Sequence, residues 1–373
     1  MSVDPIALAR ELINVPSVTP ARGEVFDVLE AALEPLGFTI HRWVLGEPPD
    51  GPTENMVAIR EGGAPHFGFA GHLDVVPAGE GWSSDPFDAR IEDGMLTGRG
   101  AVDMKSAIAA FVAALSRQEA RGTVSLLITG DEEGYATWGT PRIIDWLNER
   151  SIRPDMILIG EPTSVERLGD TVKIGRRGSV NMWIDVPGTQ GHVAYPHRAD
   201  NPVPKLARVI AALESLHLDD GTDAFPPSNL EFTAVSTPTQ ASNVIPASAT
   251  AQLNIRFNNL HRGADLVRMV EKIAEREAPG STVRARISGE AFLTPPGPLY
   301  DVIVAAIEEE TGVAPELSTS GGTSDGRFLI QLCPVVDFGL PNGTMHKLDE
   351  CAAVADIETL SRIYERVLRK VLA

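Results

Sequence analysis

The sequence predicts an α/β chain interrupted by a smaller α+β insertion, and three observations carry that expectation. Apolar strand-like runs alternate with amphipathic helices, and the runs end in loops bearing carboxylates or an imidazole. From about Thr171 the rhythm changes to strand, helix, strand, strand, helix, strand, the order of a small open-faced sheet with two helices on one side. At 373 residues the chain also exceeds the length at which one hydrophobic core usually stops growing. The expected division is residues 1–177 with 290–373 as the first domain and 178–289 as the insertion.

Asp4-Pro5 opens a capped helix with proline in its first turn. A second helix is expected over 24–36, with Val25, Val28, Leu29, Ala32, Leu33 and Leu36 on one stripe and Gly37 as its stop. Strands follow at 38–44, 55–60 and 65–70, the last of which delivers His72 at its carboxyl end. Residues 79–88 read as a loop, and Gly98 to Asp103 runs into an alanine-rich helix over 104–115. The strand at 123–129 ends in Asp131-Glu132-Glu133, a helix returns over 141–150, and the strand at 154–159 ends in Gly160-Glu161. In open α/β sheets, sites collect beyond the carboxyl ends of strands. The insertion carries strands at 179–186, 230–236, 249–257 and 282–287 with helices at 204–216 and 264–277. The first domain then resumes with a helix at 299–310, a glycine loop at 318–325, a strand at 335–338 and a segment, 347–372, carrying the final helix.

Hydrophobic content of 43% with 22% charged residues is that of an ordered globular chain. A formal net charge of −19 argues against nucleic acid or an anionic membrane as partner, because both select basic surfaces. The tryptophans are scattered and form no stacking platform, and no phosphate-binding loop or dinucleotide fingerprint is present. Cys333 and Cys351 read as two reduced thiols. The first residues carry no basic leader followed by an apolar stretch, and nowhere do 18 apolar residues run together. A cytoplasmic location without membrane spanning is expected.

His72 and Asp74 lie two apart on an extended segment, so Asp74 can hold one imidazole nitrogen and leave the other to a metal. Asp103, Glu132, Glu133, Glu161 and His346 stand at the ends of other elements. Each alone has an ordinary explanation: a surface histidine, a helix cap, a solvated turn. Together they read as a divalent metal site, with His72 and Glu161 as candidate ligands of one ion, Glu133 and His346 of another, and Asp103 able to bridge. Glu132, adjacent to a ligand yet free to point elsewhere, is the candidate for taking a proton from water. The donor set suits zinc, with cobalt or manganese open as substitutes. In the insertion, His192 follows a glycine and reads as a turn histidine or a functional one.

The segments 71–77 (Gly-His-Leu-Asp-Val-Val-Pro), 98–105 (Gly-Arg-Gly-Ala-Val-Asp-Met-Lys), 131–134, 160–163, 175–179 and 188–197 resemble the di-zinc aminoacylase and carboxypeptidase superfamily. Segments 320–328 and 339–347 narrow the resemblance to its desuccinylase branch. The resemblance implies a mixed-sheet, zinc-exopeptidase-like catalytic domain with an inserted ferredoxin-like dimerisation domain, and two zinc ions per subunit. It implies hydrolysis of N-succinyl-LL-2,6-diaminopimelate to succinate and LL-2,6-diaminopimelate, with Glu132 as general base and a cis peptide bond after Asp103. It further implies a homodimer in which His192 reaches the other subunit's site, and substrate contacts near Arg177 (or Arg176), Tyr195, Asn243, Arg256, Gly322, Thr323 and Asn342. After His346-Lys347 the chain departs from the common pattern at Leu348-Asp349, which leaves the ligand untouched. Two other readings stay open: a related deacylase such as an acetylornithine deacetylase, and a non-catalytic binding protein.

Overall fold

The computed structural model describes residues 2–118 and 121–373. It divides into two compact units, Met1–Gly175 with Thr294–Ser318 and Ser324–Ala373, and Arg176–Leu293 with Thr319–Thr323.

The first unit is built on an eight-stranded sheet, in the order Thr39–Leu45, Thr53–Arg60, Thr123–Thr129, His66–His72, Met156–Ile159, Val335–Asp337, Thr171–Lys173, Glu316–Ser318. The strands His66–His72, Thr123–Thr129, Met156–Ile159 and Val335–Asp337 run parallel, while the first two of the order are antiparallel, so the sheet is mixed as expected. Parallel strands buried on both faces should read as near-continuous apolar runs, and Thr123–Thr129 does. Helix Lys105–Ser116 is buried along almost its whole length, which is why it is rich in alanine and lacks a polar face. Phe111 on that helix stacks on Phe69 of the central strand with ring centroids 4.0 Å apart. The final helix, Val354–Val371, closes the layer with Tyr364, whose hydroxyl donates to the Phe338 carbonyl at 2.7 Å. Gly71 and Gly160 let Met104 lie against the sheet, since a Cβ at either would sit within 2.7 Å of its methyl.

Several boundaries differ from the sequence reading. The second helix ends at Leu33 and continues as a tighter 3₁₀ turn, Glu34–Leu36. Pro35 has no N–H to donate and its ring crowds the preceding turn, and Gly37 at φ 82° then stops the helix. A three-stranded sheet of Arg90–Glu92, Met95–Thr97 and Cys351–Ala353 stands where no strand was read, and the final helix starts only after it, at Val354.

The second unit is a four-stranded antiparallel sheet in the order Asn229–Ser236, Ser248–Phe257, Gly178–Pro187, Thr282–Gly289. Burial alternates strictly along Ser248–Phe257, and the buried set packs with Leu206, Val209 and Leu213 of helix Pro202–Glu214 and Leu266, Val270 and Ile273 of helix Gly263–Glu277. The period-two pattern therefore turns one face to the helices. The unit also takes in Thr319–Thr323, which the sequence reading left with the first domain. Thr319 donates to the Ala224 carbonyl at 2.5 Å and Arg176 to that of Gly322 at 3.2 Å, and these contacts attach the segment to it.

Candidate metal centre

Parallel pairing puts the carboxyl ends of three strands side by side in the first unit. His72 is the last residue of its strand, Glu132 and Glu133 follow Thr123–Thr129, and Glu161 follows Met156–Ile159. Asp103 arrives from the turn before helix Lys105–Ser116, and its peptide bond to Met104 is cis. His346 comes from the loop after Val335–Asp337, in the left-handed region at φ 61°, a conformation uncommon outside glycine that recurs at functional sites.

His72 is buried, and its Nε2 lies 3.1 Å from Asp103 Oδ1 and 3.7 Å from Glu161 Oε1. His346 Nε2 lies 2.9 Å from Glu133 Oε1 and 3.3 Å from Asp103 Oδ2. One Asp103 oxygen thus faces each imidazole. Donor atoms of His72, Asp103 and Glu133, and again of His72, Glu132 and Glu161, lie within 4.8 Å of one another. Burial alone would lower the His72 pKa, but the carboxylates of Asp103, Asp74 and Glu161 outweigh it and hold it well above the ordinary value. So dense a set of carboxylates around two imidazoles fits divalent cations, which the hard and borderline donors would bind directly. The site is that of a metal cofactor.

The tautomer of His72 is set differently from the sequence expectation. Nδ1 lies 2.9 Å from the backbone carbonyl of Asp74, and the Asp74 carboxylate stands 3.6 Å away. A carbonyl only accepts, so Nδ1 carries the proton and Nε2 is left for a metal. The fully buried Asp74 carboxylate instead accepts from the amides of Glu132 at 3.2 Å and Glu133 at 3.0 Å, fixing the acidic turn. The two-residue spacing was legible; that the carbonyl would displace the side chain was not.

A family model, peptidase family M20/M25/M40, matches residues 68–370. The chain belongs to that family. A succinyl-diaminopimelate desuccinylase of Sphingopyxis alaskensis is 61% identical over 372 residues, covering 99% of each chain. Another from Zymomonas mobilis is 61% identical over 370 residues, covering 99% of this chain and 98% of that one. Among solved structures, an M20 family metallo-carboxypeptidase from Sulfolobus solfataricus superposes with a TM-score of 0.81 at 16% identity over 99% of both chains. A tripeptidase from Staphylococcus aureus does so with 0.83 at 18% over the whole of both. At those identities the likeness is one of fold.

In this M20 chain the surroundings of Glu132 were missed by the sequence reading. Arg327 Nη1 lies 3.6 Å from Glu132 Oε1, and Asp325, held by the Thr140 hydroxyl at 2.5 Å, stands beside Arg327. Burial, then the Asp325 charge, pushes the Glu132 carboxyl up to about 8 against the pull of His72 and Arg327. Asp131 takes the Thr129 hydroxyl at 3.0 Å and the Trp138 amide at 2.8 Å, and a Cβ on Gly139 would collide with it at 1.8 Å. Asp325 and Arg327 lie inside the segment that carried the resemblance, so a signal existed.

The remaining sequence-predicted residues, apart from Asn342, belong to the second unit. Arg177 donates to Asn229 Oδ1 at 2.9 Å, and Arg256 pairs in register with Ser179 and Asn229, so both arginines sit at one end of that sheet. His192 and Gly191 pair with Val244 and Ile245, and His192 Nδ1 accepts from the Ala194 amide at 3.1 Å. Tyr195 is exposed with its ring 5.8 Å from that of His192, and Asn243 accepts from the Val193 amide through its carbonyl at 3.2 Å. Gly322 receives Arg176, with Thr323 beside it, while Asn342 in the first unit donates its amide to the Ser164 carbonyl at 2.9 Å. Among the described residues no helix is long and apolar enough to cross a membrane.

Proposed function

We propose that this M20 chain hydrolyses the amide of N-succinyl-LL-2,6-diaminopimelate, releasing succinate and LL-2,6-diaminopimelate in lysine biosynthesis. The observation that carries the reading is Glu132 lying with His72 and Glu161 at a centre that also gathers Asp103, Glu133 and His346, in a chain 61% identical to a desuccinylase along 99% of its length. Two zinc ions suit those donors: His72 and Glu161 would hold one, Glu133 and His346 the other, with Asp103 between them and cobalt or manganese as substitutes. Bound there, the pair supplies Lewis acidity to the scissile carbonyl and acidifies a water.

Glu132, standing with His72 and Glu161, would take a proton from the attacking water and pass it to the departing amine. Because His192 Nδ1 accepts the Ala194 amide, its proton sits on Nε2, on an exposed ring suited to donate to a carbonyl oxygen as charge develops. The second unit has the strand order of a ferredoxin-like domain and serves as the dimerisation domain, carrying His192 to the other subunit's site. Arg177, with its neighbour Arg176, and Arg256 are the proposed partners of the substrate carboxylates, and Tyr195, Asn243, Gly322, Thr323 and Asn342 are further proposed substrate contacts. The two free cysteines support a cytoplasmic setting.

Steady-state hydrolysis of N-succinyl-diaminopimelate and of N-acetylornithine tests the assignment. The succinyl substrate is expected to be favoured by at least about a hundredfold in kcat/KM, since a site built for a second carboxylate rejects an analogue lacking it. Equal rates, or preference for acetylornithine, would move the chain to the other deacylase reading.

A further inference from the structure

Asp103 is held in place by a side chain that no ligand assignment includes. Glu350 is fully buried and takes four hydrogen bonds, two on each oxygen. Oε2 accepts from Arg99 Nη1 at 2.8 Å and the Gly100 amide at 3.2 Å, and Oε1 from the amides of Val102 at 2.8 Å and Asp103 at 3.1 Å. Arg99 is buried too, donating to the Ala78 carbonyl at 3.1 Å with its guanidinium 5.0 Å from the Trp82 ring centroid. The Glu350 carbonyl accepts from the Gly98 amide at 2.9 Å, and the next residue, Cys351, pairs with Thr97. Glu350 follows His346 by four residues. One residue therefore ties the turn presenting Asp103 to the loop presenting His346.

We propose that Glu350 is a positioning residue for the metal centre. It fixes the main chain of Asp103 so that one carboxylate oxygen faces His72 and the other His346 before any ion arrives, and so sets the affinity for both ions. The inference rests on the two-metal reading. A clamp made of protein groups alone lets the site form without metal, so binding need not also order the turn. A side chain that only stabilised the fold would change unfolding and leave ion affinity alone.

Glu350→Gln keeps the volume and replaces one acceptor oxygen with an amino group that meets two donors. Competition against a chromophoric chelator, starting from zinc-free protein, is expected to show zinc affinity lower by about 10- to 100-fold than in the wild type. A variant that binds two zinc ions with wild-type affinity, whatever its unfolding midpoint, would overturn the positioning role. Hydrogen exchange on the wild type is the second measurement and needs no variant to fold. The Val102 and Asp103 amides are expected to be as protected without zinc as with it, and free exchange until zinc is added would equally overturn the proposal. A wild type that binds fewer than two zinc ions would instead remove the two-metal reading, and the exchange result would still decide whether Glu350 orders the turn.

Discussion

Asp74 acts through two groups at once: its carbonyl sets the His72 tautomer while its carboxylate holds the amides of Glu132 and Glu133. Asp74→Asn keeps the carbonyl and offers an amino group to one of those amides. Sequential zinc titration is expected to show affinity lost by about 10- to 100-fold, mainly for the ion bound by Glu133. Equal loss at both ions would mean that the carboxylate also governs His72. Glu132 faces a sharper test. Its Gln variant should keep the zinc content of the wild type and lose about 10²- to 10⁴-fold in kcat, the range that a positioned proton-transfer group contributes. Retained turnover would remove Glu132 from the chemistry.

Elements with a strong period were readable from sequence, and the site was readable where it hangs on them. Thr123–Thr129 and His66–His72 announce themselves as apolar runs, and helix Lys105–Ser116 as an unbroken apolar stretch, so the ligands at their ends came with them. The strands Arg90–Glu92, Met95–Thr97 and Cys351–Ala353 have three residues each, too few to display alternation. Arg90–Glu92 and Met95–Thr97 pair as a local hairpin across Asp93-Gly94, whereas Cys351–Ala353 joins them across a long sequence separation, a tertiary effect. Glu350 was hidden for the same reason, since its donors lie about 250 positions away. The layer of Phe69 on Phe111 is the mechanical base of the site. Phe111→Ala is expected to cost about 3–5 kcal/mol in urea unfolding, through lost burial and the cavity left behind. In the second unit, Asp219 accepts from the amides of Gly221 and Ser228, from Asn258 and from His261. Burial works against its ionised form, yet the bonds from Ser228, Gly221 and Asn258 hold its pKa well below the usual range. A depressed carboxylate contributes stability that is complete above its unfolded pKa of ~3.9 and fades as pH falls toward the folded value. Asp219→Asn should therefore lower the unfolding midpoint clearly at pH 7 and progressively less below about pH 4. A constant difference across that range would place the effect in packing instead.

At the scale of the whole molecule, a net charge of −19 surrounds a substrate that itself carries carboxylates. Under the proposed substrate contacts, the arginines at one end of the second unit's sheet would counter that field locally, so substrate affinity should depend on Arg177 and Arg256 more than on other cations. The dimer proposal makes the site a property of two chains. Mixing Glu132→Gln and His192→Ala homodimers under exchange should restore activity toward about a quarter of wild type, because each mixed dimer holds one complete site. No recovery would place His192 in its own subunit's site. The most direct test of the central claim is hydrolysis of N-succinyl-LL-2,6-diaminopimelate by chelator-stripped protein titrated with zinc. Turnover should be absent at the start and rise until two ions per chain are bound. Full rate in the stripped protein, or none at any zinc level, would contradict a metal-dependent desuccinylase.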